Sequence, residues 1–406
     1  SNRLLWRCYR FFYDKVRAET IESDELSRGE FFARMHRMLT DQLWFVVTRV
    51  PDDSTAYTLF EVLNDRGLDL TIADLLKNVV LSEGEKHKTF DQARMQWAQI
   101  AERIDYPLIS QYLRYLWMSQ QGKKTTDKEL FSRLKDELRE SKKDQFLKRL
   151  KNWATEATNY AEIAGVVGAQ PSNKALADEL ELMRSYGFRT VYTALLSIWA
   201  VTDQEDHLLR RSAVRLLRVF LIRYAIFAGQ VTNSLEGEMA SIAKDIRSSG
   251  NVDLDSLAQR LREVGPAEKQ VWAGFESLEP KISVARLLLA EIENHLTGTE
   301  KAIGSSNDVH VEHIYPQNPD PAWGDTFAPP DEAPTFRDRL GNLTLLSGKK
   351  NRSASNRPYS SKKNYYDQSA IRLTNELHEK WEHWTKESVV DRQERLAKEA
   401  KKIWKL

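Results

Sequence analysis

Apolar residues recur at three- and four-residue spacing through most of this chain, the signature of helices with one buried face. Between residues 89 and 298 the pattern is almost unbroken. It predicts helices over 90–104, 106–119, 127–139, 144–164 and 212–228, with breaks at Gly122, Pro171, Gly250 and Pro266. Residues 1–40 also read as helix, with Trp6, Tyr9, Phe12 and Tyr13 on one face. Thr71 followed by Asp74 is a helix start with an acid in the first turn. Strand signals are few. Residues 43–50 are β-branched and aromatic and predict a strand, followed by a helix that Asp52, Asp53 and Ser54 cap and that runs through Phe60 to Asn64. Val309, Val311 and Ile314 predict a short strand ending at Pro316, and a second apolar run starts at Leu343. Between them Pro316, Pro319, Pro321, Pro329, Pro330 and Pro334 mark an irregular loop longer than structural connections usually are. Residues 368–406 predict a long charged terminal helix, with Trp381, Trp384 and Trp404 available for packing.

The fold class expected is therefore mainly α, a helical multi-domain array with a small C-terminal domain carrying the strands. The boundaries expected are 1–88, 89–298 and 299–406, the last set by the composition shift at Thr297, Gly298 and Thr299. The chain is long enough for two or three buried cores. Its 60 basic and 59 acidic residues balance, so any nucleic-acid footprint must be local. Cys8 is the one cysteine, which excludes an internal disulfide and a multi-cysteine zinc site and suits a reducing cytoplasm. No secretory leader is visible, and the longest apolar stretch, 191–201, is far short of the roughly 20 residues a membrane span needs.

Chemistry concentrates after residue 309. Glu312 stands beside His313, Asn342 follows Gly341, and Asn351 comes later. Phosphodiester hydrolysis needs an activated water and neutralisation of charge on the phosphate and leaving oxygen. A neutral histidine takes a proton near pH 7, which suits His313. A carboxylate and an amide oxygen hold a hard cation that keeps most of its waters, which suits Glu312 and Asn351 as ligands of Mg²⁺, with Mn²⁺ as an alternative. Asn342 suits a loop-bracing part in the catalytic set. In a strand Glu312 and His313 point to opposite sides, so a twist or bulge is expected to bring them to one centre. His310 shares a strand face with Glu312 and is a weaker third ligand. Between 336 and 363 the basic residues are Arg337, Arg339, Lys349, Lys350, Arg352, Arg357, Lys362 and Lys363, against Asp338 alone. That bias resembles a phosphate-backbone footprint, with Lys349, Lys350, Arg352, Arg357, Lys362 and Lys363 the DNA-binding candidates and Tyr359, Tyr365 and Tyr366 able to stack or pack. Arg211, Arg215 and Arg218 share one helix face and are expected to be solvated or paired within the protein. The Gly341–Gly348 stretch before Lys349 lacks the spacing and the Ser or Thr of a phosphate-binding loop.

The stretches 311–316 and 340–346, together with Asn351, 355–359 and Lys362, resemble the His-Me finger (HNH) nuclease domain of the GmrSD-type restriction endonucleases. The resemblance implies two short strands and a helix around one metal, with His313 in the first-histidine role, Asn342 in the middle-asparagine role and Asn351 at the final ligand position, where many relatives have histidine. Relatives often brace the motif with paired cysteines, which this chain lacks. Residues 59–68, then Leu70 and 74–77, resemble the end of the GmrS-like N-terminal domain, so 1–88 reads as the remnant of a nucleotide-binding domain whose core is absent. The implied activity is a metal-dependent DNA endonuclease in bacterial anti-phage defence, working in the cytoplasm. Implied partners are DNA and the upstream GmrS-like domain, with no membrane; homo-oligomer formation stays open, as do a non-catalytic DNA-binding scaffold and an RNA-directed nuclease.

Overall fold

A computed structural model describes residues 2–21, 24–44, 71–298, 308–324 and 326–406. The chain is mainly helical, and the described residues form two compact units. The first holds residues 1–110 and 127–157; the second holds 111–126 and 158–406.

In the first unit α1 (Asn2–Thr20) and α2 (Glu25–Arg37) take the place of the single helix expected over 1–40. The reason is local: Asp24 caps α2 by accepting from the Ser27 N–H at 2.7 Å, which restarts the helix. Trp6 stacks on Tyr9 and Tyr9 on Tyr13, so the aromatic face forms. The strand expected over 43–50, apart from Leu43 and Trp44, and the stretch 59–68 lie outside the described residues. Thr71 and Asp74 build a reciprocal capping box at the start of α3 (Ile72–Lys86). Leu76 and Val80 of α3 pack with Ala93 and Trp97 of α4 (Phe90–Arg103) and with Leu130 and Leu134 of α6 (Asp127–Glu140), a core of fully buried side chains.

The second unit begins with α5 (Ile109–Gln121), from residue 111 on, and the end of α7 (Lys143–Ala164). It continues with α8 (Lys174–Ser185), α9 (Tyr192–Val201), α10 (His207–Leu221), α11 (Glu236–Ser249), α12 (Leu254–Val264), α13 (Glu268–Glu276) and α14 (Ile282–Thr297). The helix predicted over 212–228 and the predicted breaks fall here, Gly250 ending α11 at φ 66°, where a side chain would be strained. Helix α9 is buried almost all round by neighbours, and among the described residues no helix is long and apolar enough to cross a membrane. Arg218 of α10 is buried between Glu179 at 2.6 Å and Glu291 at 2.8 Å, and Arg215 reaches the Ile403 carbonyl at 3.4 Å. Arg218 and Arg215 are thus engaged within the protein.

The same unit carries β1 (Val309–His313), α15 (Ala333–Arg337), β2 (Leu343–Ser347), α16 (Gly348–Ala354), α17 (Tyr359–Asp367), α18 (Arg372–Lys380) and α19 (Lys386–Ile403). Strands β1 and β2 pair antiparallel, from Val309 opposite Ser347 to His313 opposite Leu343. The single terminal helix expected over 368–406 is two helices. Trp381 and Trp384 turn into the core between them, edge to face at 5.5 Å, and Thr385 caps α19 with Ser388. Helix α14 packs on both strands and on α18 and α19, so the small sheet is built onto the helical array.

Candidate functional site

The strand–strand–helix unit β1, β2 and α16 sets the site. Pairing runs residue for residue, so β1 has no bulge, one of the two devices expected to bring Glu312 and His313 together. Instead the two diverge from the strand end by ordinary alternation, yet both reach one cleft. Glu312 turns inward and His313, the last strand residue, lies at the rim. The cleft has a volume of about 240 Å³ and is lined by Glu312, His313, Asn351, Gln317, Asn318 and Asn356, among others. Of the candidate ligands and base, Glu312, His313 and Asn351 therefore meet in one place. His310 does not line it; it lies exposed, with its ring against Gly348.

Glu312 is a buried carboxylate inside a built network. Its Oε1 accepts from Lys362 Nζ at 2.6 Å and from the Tyr366 hydroxyl at 3.3 Å. Lys362 also donates to the carbonyls of His313 at 2.8 Å and Ile314 at 3.1 Å, which uses all three of its protons. Burial pushes the Glu312 carboxyl up and the Lys362 ammonium down, while their attraction opposes both shifts. Lys362 is 0% exposed, so this candidate DNA contact is instead a core cation. The signal for that was present: Tyr359, Lys362 and Tyr366 fall on one face of α17 and all three are buried, the tyrosines packing rather than offered to bases.

His313 is mostly buried, and its Nε2 lies 3.2 Å from Asp338 Oδ1. Burial holds the imidazole pKa below its usual value, with the Asp338 carboxylate pulling the other way. Asp338 Oδ2 in turn accepts from Arg337 Nη2 at 3.1 Å, and its carboxyl is held low by Arg337 and His313 against the effect of burial. In the sequence Asp338 is the lone acid of a basic stretch; the fold places it on the histidine.

Asn342 braces the site from within. It is fully buried, its Oδ1 accepts from the Tyr315 N–H at 2.9 Å and from Trp384 Nε1 at 2.8 Å, and its Nδ2 donates to the carbonyls of Tyr315 at 2.9 Å and Arg337 at 2.7 Å. With both donors and two acceptor positions filled, the amide ties the residues after β1 to those before β2. Gly341 lets α19 come close: a Cβ there would sit 2.3 Å from the Val389 carbonyl oxygen. The proline-rich loop closes the other side. Tyr315 stacks on Phe327 with centroids 3.8 Å apart, and Trp323 Nε1 donates to the Asn356 carbonyl at 3.1 Å. Asn351 Nδ2 reaches the Val311 carbonyl at 3.4 Å, and Ser355, just after α16, takes a left-handed φ of 46°, a costly backbone for a residue with a side chain.

The remaining basic candidates divide. Lys349, Arg352 and Arg357 are exposed, Arg357 lying over the Tyr365 ring at 5.9 Å. Lys350 is half-buried and bonds the Gln368 carbonyl, and Lys363 bonds the Trp381 carbonyl at 3.2 Å.

Residues 268–399 match the family described as GmrSD restriction endonucleases, C-terminal domain. This segment is similar to the C-terminal domain of GmrSD-type restriction endonucleases. The match starts at α13, so α13 and α14 are counted with the strands they support. The match supports a nuclease of the restriction-endonuclease type, a phosphodiester hydrolase. No curated protein matches the chain.

Proposed function

We propose that the GmrSD-type domain is a one-metal His-Me finger DNA endonuclease, with His313 as general base, and that it serves modification-linked restriction or anti-phage defence in a bacterial cytoplasm. The observation that carries this is the convergence of Glu312, His313 and Asn351 on one cleft. The donor set fits a hard divalent cation such as Mg²⁺. Both protein bonds of Glu312 fall on Oε1, and Asn351 turns its Nδ2 to Val311, so a carboxylate oxygen and an amide oxygen remain for a cation that keeps most of its waters. Among the described residues no group of three His, Cys, Asp or Glu offers a metal site, which argues against zinc bound in a closed cage. The cation, when bound, neutralises charge on the phosphate and the leaving oxygen.

The chain's own residues supply the rest. His313, kept neutral by burial, takes a proton from water. Asn342 ties the backbone just after the base, at Tyr315, to that of Arg337 beside Asp338. Lys349, Arg352 and Arg357 present exposed charge for the DNA backbone, and Lys350 joins them only if it leaves the Gln368 carbonyl. A GmrS-like domain upstream is the proposed regulatory partner.

A second reading, a non-catalytic DNA-binding scaffold, is favoured by one feature: Lys362 already balances Glu312, so the carboxylate is stable without a metal. Supercoiled plasmid incubated with the protein and Mg²⁺, Mn²⁺ or EDTA separates the two. Metal-dependent nicking that is lost in His313→Ala, on the order of 10²–10⁴ in rate, is expected. Plasmid binding without cleavage in any metal would leave the scaffold.

A further inference from the structure

We infer that Asp338 is a positioning residue for the base: it fixes which nitrogen of His313 carries the proton and turns the other toward the cleft. This rests on the reading of His313 as base. The two imidazole nitrogens are distinct, and the partner of one sets the state of the other. Here Nε2 faces Asp338 Oδ1 at 3.2 Å. A carboxylate only accepts, so the proton belongs on Nε2 and the Nδ1 lone pair is left to take a proton from water. The ring's rotation is fixed by the same bond.

The carboxylate is itself anchored. Oδ2 accepts from Arg337 Nη2 at 3.1 Å. The Arg337 carbonyl accepts from Asn342 Nδ2 at 2.7 Å, which ties the Asp338 backbone to the amide that also holds Tyr315, two residues after the histidine. Base and positioning residue thus hang from one buried side chain, although they lie on separate elements. During the reaction the water proton passes to Nδ1 as the water oxygen bonds to phosphorus. The bond from phosphorus to the leaving sugar oxygen breaks, and that oxygen takes a proton from solvent. The imidazolium formed then lies beside a carboxylate, which favours it.

The test is Asp338→Asn, which keeps the shape but lets an amide N–H donate to Nε2 and so hold the proton on Nδ1. Plasmid nicking by wild type, Asp338→Asn and His313→Ala is followed over a range of DNA concentrations. A loss on the order of 10–100-fold in kcat is expected for Asp338→Asn, with KM, plasmid affinity and melting temperature unchanged. Nitrogen-15 correlation spectra of histidine-labelled protein give a readout apart from activity, and the wild type is expected to show His313 protonated on Nε2. Wild-type kcat in Asp338→Asn, a loss confined to KM, or His313 protonated mainly on Nδ1 in the wild type would overturn the inference. Wild-type nicking by His313→Ala would instead overturn the assignment of the base.

Discussion

Lys362→Met separates a core cation from a DNA contact. In the folded protein Nζ donates at 2.6 Å to Glu312, at 2.8 Å to the His313 carbonyl and at 3.1 Å to the Ile314 carbonyl. The two side chains are 0% and 6% exposed, so water does not screen the pair. Methionine fills much of the volume but leaves the Glu312 carboxylate buried beside the Tyr366 hydroxyl alone, and breaking a buried pair from one side costs about 3–5 kcal/mol. Two carbonyls also lose a charged donor, at about 1 kcal/mol each. Relief by protonation of Glu312 removes part of this, so a net loss of about 4 kcal/mol is expected, roughly a thousandfold in the folding equilibrium. Urea unfolding followed by tryptophan fluorescence reads it, because Trp323, Trp381 and Trp384 surround the same core. Adding Glu312→Gln to Lys362→Met should recover most of the loss, since it removes the stranded charge. Salt dependence of plasmid binding should not change in Lys362→Met. A loss under about 1 kcal/mol, or a flatter salt slope, would refute the buried-pair argument.

The acid limb of the nicking rate should fall below pH 6.5, the ordinary imidazole value, because burial lowers the His313 pKa in the folded protein. The sign for stability follows: as pH falls through 6.5 the unfolded chain binds a proton that the folded chain does not, so this group destabilises the fold there, and a rate midpoint above 6.5 would contradict it. Replacing Lys349, Arg352 and Arg357 together by alanine should flatten the logarithmic salt slope of plasmid binding by about two to three units, checked by titrations at several salt concentrations. Glu312→Ala and Asn351→Ala should shift the Mg²⁺ titration of nicking to higher concentration and be partly rescued there by mass action, whereas unshifted titrations would remove both as ligands. Asn342→Ala should cost about 2–4 kcal/mol in urea unfolding, because it strands the Trp384 N–H and backbone groups at Tyr315 and Arg337 in a buried site.

Helices were legible because each buries one face: the apolar spacing from 90 to 164 and the breaks at Gly122 and Gly250 reappear within a residue or two. The cluster of Glu312, His313, Asn342 and Asn351 was legible because their residue types stand close in sequence around two short strands. What sequence could not show is direction across space. Lys362 looked like one more surface cation until α17 turned it inward onto a carboxylate fifty residues earlier. Asp338 carried no periodic signal at all, since it lies just past the five-residue helix α15 and meets His313 only through the tertiary fold. The terminal helix read as continuous because its charge pattern hides the Trp381–Trp384 turn, which tertiary packing decides.

A sheet of two five-residue strands cannot bury enough surface to hold a base in place; the chain has one cysteine, and among the described residues no cluster of three metal-ligating side chains staples the sheet. The helical array takes that part. Gln393 of α19 bonds both the Gly341 N–H and the Phe275 carbonyl, at 2.6 Å for the latter, and so joins the loop before β2 to α13. Arg392 donates to the Gly341 and Leu343 carbonyls at 2.8 and 2.6 Å, either side of Asn342. Glu293 of α14 accepts from the Arg372 and Leu373 N–H groups at 2.7 and 2.8 Å, capping α18, whose Thr374 bonds the Leu345 carbonyl of β2 at 2.5 Å. Each contact ends on backbone rather than on a flexible side chain, so it fixes position as well as proximity. The strand pair is thus held from α13, α14, α18 and α19 at once, and the start of the family match at Glu268 coincides with the first of these supports. A segment cut at residue 299 would keep every proposed catalytic group and lose the Phe275 and Glu293 contacts that hold their backbone.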